Sequence, residues 1–159
     1  MISMKLKIIV HPEKCTGCRI CELFCSAFHE KVFNPKKARI RVVRLKPAID
    51  MPVICQQCKK APCAEICPVE AIVVNELGVV QINYEKCIGC LMCIEACPFG
   101  AMFVNPQTKT PIKCDLCDGN PQCVKHCPTG ALEFVSPDRN PQKKREKFVR
   151  TRVRNSTKI

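Results

Sequence analysis

Cys87-Ile88-Gly89-Cys90-Leu91-Met92-Cys93-Ile94-Glu95-Ala96-Cys97-Pro98 is the stretch on which the reading of the chain turns. Its four thiols are spaced C-x2-C-x2-C-x3-C, and Cys15, Cys18, Cys21 and Cys25 repeat that spacing. Cys55, Cys58, Cys63 and Cys67 follow C-x2-C-x4-C-x3-C, while Cys114, Cys117, Cys123 and Cys127 follow C-x2-C-x5-C-x3-C. All sixteen cysteines of the 159 residues therefore fall into four groups of four. The last cysteine of three groups opens a repeated unit: Cys67-Pro68-Val69-Glu70-Ala71-Ile72, Cys97-Pro98-Phe99-Gly100-Ala101-Met102 and Cys127-Pro128-Thr129-Gly130-Ala131-Leu132. Recurrence of Cys-Pro-x-x-Ala-apolar every 30 residues argues for duplication of one module. The first group departs, continuing as Ser26-Ala27-Phe28 without the proline.

Three chemistries compete for such cysteines. Disulfides belong to oxidising compartments. Met1–Val10 holds no apolar run of signal-peptide length, no small-residue cleavage site and no twin-arginine pair, so a reducing cytosol is the expected setting. No stretch reaches the roughly 18 apolar residues of a membrane span. Zinc uses C-x2-C knuckles, but in pairs separated by a longer stretch. Three cysteines within seven residues and a fourth four positions on overfill a knuckle. An iron–sulfur cubane offers four iron corners, each needing one external thiolate. C-x2-C-x2-C wraps three corners, and a C-x3-C-P cysteine reaches the remaining corner of a second cluster. The third group fits that pattern letter for letter, and the second fits it with two extra residues.

Composition agrees. The apolar 47% counts the cysteines; without them roughly 59 residues remain, a thin supply for a core, with no Trp and one Tyr. Inorganic cores are expected to supply the missing cohesion. The formal charge of +12 treats every thiol as neutral. Sixteen thiolates around four cubanes of about +2 would bring it to about +4, so the excess of Lys and Arg is no footprint for nucleic acid. Arg139–Ile159, with nine basic residues against Glu146, reads as a basic tail; Phe148–Arg154 alternates as a strand added to a partner would, but the last ten residues read more simply as a solvated terminus.

Between the groups, Lys5–Val10 and Arg39–Leu45 alternate as strands do, and Ile72–Val74 and Val79–Ile82 flank Asn75-Glu76-Leu77-Gly78 as a hairpin. Ala101–Val104 and Leu132–Val135 match as strands of later repeats. Each Cys-x3-Cys suits one short helical turn, since i and i+4 share a face and the proline beyond disfavours helix at the last cysteine.

In its four-group order the sequence resembles the four-cluster iron–sulfur subunits of the dimethyl-sulfoxide-reductase and formate-dehydrogenase type, over roughly residues 10–135. Compact relatives accompany tungsten aldehyde oxidoreductases, CO dehydrogenases and hydrogenases. The resemblance implies an α+β fold of two ferredoxin-like halves, each carrying two 4Fe–4S clusters, related by pseudo-two-fold symmetry. Residues 1–136 would form the cluster domain, with 52–105 as one half and 5–35 with 110–136 as the other; 137–159 would be the tail. It also implies nested ligation: Cys55, Cys58, Cys63 and Cys97; Cys87, Cys90, Cys93 and Cys67; Cys15, Cys18, Cys21 and Cys127; and Cys114, Cys117, Cys123 and Cys25.

Four complete clusters leave no open iron, so the expected function is electron transfer without catalysis. The expected partner is a large molybdo- or tungsto-pterin catalytic subunit of a soluble complex, with ferredoxin or another carrier as a further one. A polyferredoxin serving a hydrogenase or CO dehydrogenase is the alternative, and a cluster-containing nucleic-acid-binding protein the remote one. There is no G-x-G-x-x-G or Walker loop, hence no nucleotide or flavin site. Lys59, Lys60, Lys86, Lys113 and Lys125 adjoin cysteine groups, where a positive charge could raise a nearby potential by stabilising the more negative reduced cluster; individually they read as surface lysines. His126, beside Cys127, reads as a bystander or a sulfur hydrogen-bond donor; His11 and His29 read as surface or satisfied core residues. Gly17, Gly89, Gly100, Gly119 and Gly130 sit in or just after the cysteine loops, where a missing Cβ allows either close approach or a turn.

Overall fold

The computed structural model describes residues 6–45 and 49–135. Lys5 and the basic tail lie outside the described residues. Short strands join in antiparallel pairs, and short helices alternate with them. β1 (Lys7–Val10) pairs with β8 (Leu132–Val135), with Lys7 opposite Val135 and Val10 opposite Leu132. Opposite ends of the described residues thereby share one ribbon. β2 (Ile40–Leu45) pairs with β3 (Ile49–Ile54), β4 (Ile72–Val74) with β5 (Val80–Ile82), and β6 (Met102–Val104) with β7 (Pro111–Lys113). The expected hairpin closes through Asn75, whose carbonyl accepts from Gly78 N at 2.9 Å and whose side chain accepts from Val79 N at 2.9 Å.

Single helical turns carry the penultimate cysteine of three groups: α2 (Pro62–Glu65), α3 (Met92–Glu95) and α4 (Gln122–Lys125). Each stops before a Cys-Pro pair, as the proline requires. Group one has no such proline, and there the helix runs on. α1 (Ile20–Glu30) spans 11 residues, buries Cys21, Glu22, Cys25 and Ser26 on one face, and packs against α4 and β2. It ends at Lys31 in the left-handed region, and the Ser26 hydroxyl accepts from Asn34 N at 3.0 Å to anchor the returning chain.

Two apolar clusters form. The larger gathers Ile8, Ile40, Val42, Ile54, Val79, Leu116 and Leu132 around Cys21, Cys25, Cys114 and Cys123. The smaller gathers Ile72, Val80 and Met102 around Cys63 and Cys93. Thiols are interleaved with aliphatic groups in both, so the cores are built around the cysteines. Among the described residues no helix is long and apolar enough to cross a membrane.

Candidate metal centres

The repeat has a direct physical reading. In Cys-Pro-x-x-Ala the fourth residue takes a positive φ, +49° at Glu70, +57° at Gly100 and +65° at Gly130. That left-handed step turns the alanine N–H back onto the cysteine sulfur: Ala71 N donates to Cys67 Sγ at 3.3 Å and Ala101 N to Cys97 Sγ at 3.4 Å. Ala71, Ala101 and Ala131 are all buried, leaving room for little beyond a methyl group. Group one lacks the repeat, and Cys25 Sγ instead accepts from Arg39 N at 3.2 Å, supplied by the chain leading into β2. A second shared feature lies inside every C-x2-C. Gly17, Gln57, Gly89 and Leu116 occupy the same place in the four loops, and all four have φ between +50° and +72°. Two are glycines, for which this is free; Gln57 and Leu116 accept strain.

Thiols from different groups converge. One cavity is lined by Cys55, Cys58, Cys63 and Cys97, together with Val80, Met102 and Lys113. Another is lined by Cys87, Cys90, Cys93 and Cys67, with Ile72, Ile82 and Leu91. In each, three cysteines of one group meet the last cysteine of the other. Electrostatic proximity places Cys127 and Cys18 by Cys21, Cys117 by Cys25, and both Cys25 and Cys117 by Cys123. The groups also approach one another in series: Cys63 lies within electrostatic reach of Cys93, Cys55 of Cys114, and Cys21 of Cys123.

None of the sixteen cysteines is paired in a disulfide. Burial pushes Cys25 and Cys93 up to about 11 and Cys21 up to about 12, with neighbouring negative groups adding to the rise. Burial drives Cys114 and Cys123 up as well. Cys127 is the exception: burial raises it, but the Thr129 hydroxyl and the N–H groups of Leu132, Ala131 and Thr129 outweigh that and hold it below the usual thiol value. Buried thiols that repel one another as anions are suited to a cationic core that removes both penalties. Sets made of sulfur alone, four per cavity, fit an iron–sulfur cubane.

Among the histidines, His29 is the one beside a sulfur. Its Nε2 lies 3.7 Å from Cys117 Sγ and 3.4 Å from Asp115 Oδ1, and its side chain is 9% exposed. Burial, with the charge of Arg39 nearby, lowers its pKa. Asp115 is also paired to Arg39. The signal was available in the sequence, since Cys25 and His29 are four apart on one helix. His126 has another role: its ring stacks on Phe24 at 3.6 Å between centroids, and Nδ1 lies 2.9 Å from Gln122 O. His11 pairs at the surface with Glu133. Lys59, Lys60, Lys86 and Lys125 are exposed as expected. Lys113 is not a surface residue: all three positions of β7 are buried. At Gly17 the close approach is to protein, since a Cβ there would meet the Asp50 carboxylate at 2.5 Å.

Converging all-sulfur sets on short strands and single helical turns define a small mixed α/β iron–sulfur protein of ferredoxin type. The chain belongs to the 4Fe-4S dicluster domain family, whose profile matches residues 48–137; a 4Fe-4S binding domain profile matches residues 12–27. It is 44% identical over 90 residues to the aliphatic sulfonate oxidoreductase, polyferredoxin-like subunit, of Pyrococcus furiosus, covering 56% of this chain and 52% of that one. It is 35% identical over 83 residues to hydrogenase-4 component A of Escherichia coli, covering 52% and 40%. The chain spans about half the length of the curated relatives it matches. Among solved structures, a chain of the active-site complex BamBC of benzoyl coenzyme A reductase matches with TM-score 0.52 at 27% identity, covering 97% of both chains.

Proposed function

We propose that the chain carries four 4Fe–4S clusters and passes electrons along them as a non-catalytic subunit of an oxidoreductase complex. The carrying observation is that each of two cavities is lined by three cysteines of one group and the last cysteine of the other. The ligand sets are Cys55, Cys58, Cys63 with Cys97, and Cys87, Cys90, Cys93 with Cys67. By the proximities above, Cys15, Cys18, Cys21 take Cys127, and Cys114, Cys117, Cys123 take Cys25. Residues 52–105 form one half; 5–35 and 110–136 form the other, related to it by pseudo-two-fold symmetry and held by the β1–β8 ribbon. The tail 137–159 lies outside the described residues.

When bound, the clusters supply one-electron chemistry. The chain's own work is to saturate each iron with sulfur, exclude water with the aliphatic groups of both cores, and direct N–H groups at sulfur. The proximities of Cys93 to Cys63, Cys55 to Cys114 and Cys123 to Cys21 favour a linear order of sites: group three, group two, group four, group one. Electrons would enter at one end of that series and leave at the other.

The setting proposed is a cytoplasmic complex with a molybdo- or tungsto-pterin catalytic chain, as in the dimethyl-sulfoxide-reductase and formate-dehydrogenase type. Two relationships favour a complex: one relative is named as a subunit, and the structural neighbour comes from an active-site complex. A hydrogenase-linked polyferredoxin is the second reading, favoured by the likeness to hydrogenase-4 component A. Anaerobic size exclusion separates the two: co-elution with a large chain supports the first, and a lone 17.9 kDa species supports the second. Metal analysis tests the core claim. About sixteen irons per chain are expected, falling by about four in both Cys67→Ser and Cys97→Ser. Zinc, or far fewer than four irons per group, overturns it.

A further inference from the structure

Three of the four groups carry a lysine immediately before their first cysteine: Lys14, Lys86 and Lys113. Lys14 and Lys86 face solvent, whereas Lys113 is only 2% exposed. Strand β7 brings it inward opposite Met102. Its Nζ donates to the carbonyls of Val80 and of Cys114, the latter at 3.1 Å. Gln57 braces the same two residues: its Nε2 donates to Cys114 O at 2.9 Å and its Oε1 accepts from Val80 N at 2.9 Å. Gln57 is itself buried and held at φ +50°. The ammonium is thus fixed by a closed network that includes a strained residue.

Both of its acceptors are neutral, and among the described residues no carboxylate lies within ion-pair distance of it. A buried ammonium with only neutral partners is costly, because burial removes its hydration without supplying an opposite charge. The compensating charge has to be close by. Lys113 lines the same cavity as Cys55, Cys58, Cys63 and Cys97, and its charge works against the burial-driven rise of the Cys58 and Cys63 thiols. Four thiolates around a core of about +2 leave a net negative charge of about two, growing by one on reduction. That anion is the counter-charge the lysine lacks within the protein.

We propose that Lys113 is a positioning residue whose buried positive charge raises the reduction potential of the single metal centre held by Cys55, Cys58, Cys63 and Cys97. The effect is local because the lysines at the equivalent places of groups one and three are hydrated and screened. It falls at an interior site of the series, where Cys55 approaches Cys114. An electron in the protein therefore rests there in preference to where it would rest without the lysine.

The inference depends on the cluster reading above, and one experiment keeps the two apart. Wild-type protein, Lys113→Met, Lys113→Arg and Lys86→Met are purified anaerobically at full length. Iron is counted and each centre is titrated potentiometrically by electron paramagnetic resonance. The centre in question is identified as the signal altered by Cys97→Ser. In Lys113→Met that signal is expected to titrate lower by at least ten-fold in its equilibrium constant, about 59 mV for one electron, with the other signals unmoved. Lys113→Arg and Lys86→Met should match wild type. Should Lys113→Met instead lose about four irons while Lys113→Arg keeps them, the charge serves to hold the cluster rather than to set its potential, and the proposal falls. It falls as well if Lys113→Met titrates as wild type, if Lys113→Arg shifts or loses iron equally, or if all signals move together. A wild-type protein without these iron signals would overturn the cluster reading itself.

Discussion

The loop from Cys87 to Cys97 and the loop from Cys114 to Cys127 start with the same C-x2-C and end with the same Cys-Pro, yet their surroundings differ sharply. In the first, Cys90 is exposed and the neighbouring Ile88 is 65% exposed. In the second, Cys114, Cys117 and Cys123 are all buried, and Leu116 sits in the larger core at the place of Gly89. The cause lies outside the motif. α1 packs on α4 over the second loop, bringing His29 to Cys117, while Arg39 pairs with Asp115. The first loop packs against the short turn α2, the β4–β5 hairpin and the β6–β7 ribbon. Ligand spacing therefore decides that a metal is held, and the segments between motifs decide how wet, and how differently charged, each site is.

The largest expected difference between the loops is in stability. Cys123→Ser alters a buried thiol of the larger core, a proposed ligand, and should destabilise the protein by roughly 4 kcal/mol or more, whereas Cys90→Ser, at an exposed proposed ligand, should cost about 1 kcal/mol. Anaerobic thermal melting of the two variants checks this, and equal losses would erase the contrast. Metal removal gives the next effect. Under a chelator, iron should leave in at least two phases, first from the site with exposed Cys90 and last from the site with buried Cys123, followed by Mössbauer spectroscopy. A single phase would mean that the loops are equally accessible.

A smaller effect is expected from His29→Leu. It removes the ring beside Cys117 Sγ, a contact of about 1 kcal/mol. The potential of the group-four centre should drop by roughly five-fold in its equilibrium constant, with the group-three centre unchanged in the same titration. The smallest concerns the repeat. Glu70 holds the left-handed step that Gly100 and Gly130 hold without strain. Glu70→Gly should therefore stabilise the protein by about 0.5 kcal/mol in chemical unfolding; a loss would show that the Glu70 side chain does more than occupy the turn.

Much of this was readable from the residues. The cysteine grouping, the short turns ending at Cys-Pro, the Asn75–Gly78 hairpin and strands β2, β6 and β8 follow from local rules that the tertiary structure leaves intact. Other features were hidden for identifiable reasons. β3 contains Pro52 and β7 begins at Pro111, and proline argues against strands except at free edges, which two-stranded ribbons provide. The missing proline after Cys25 was visible, but the length of α1 depends on the anchor that Ser26 makes with Asn34. Lys113 looks like Lys86 in sequence. Its burial comes from the pairing of β7 with β6 and from the Gln57 network, neither of which has a local signature.

The pairing of β1 with β8 carries a consequence for biosynthesis. Strand β4 to strand β6 can be translated and folded as a contiguous stretch, with Cys67 and Cys97 available within 30 residues of each other. In the proposed ligation Cys21, by contrast, waits for Cys127, as β1 waits for β8, until nearly the whole of the described chain has left the ribosome. Maturation is therefore expected to proceed from the middle of the polypeptide outward, with the terminal ribbon acting as the closing clasp.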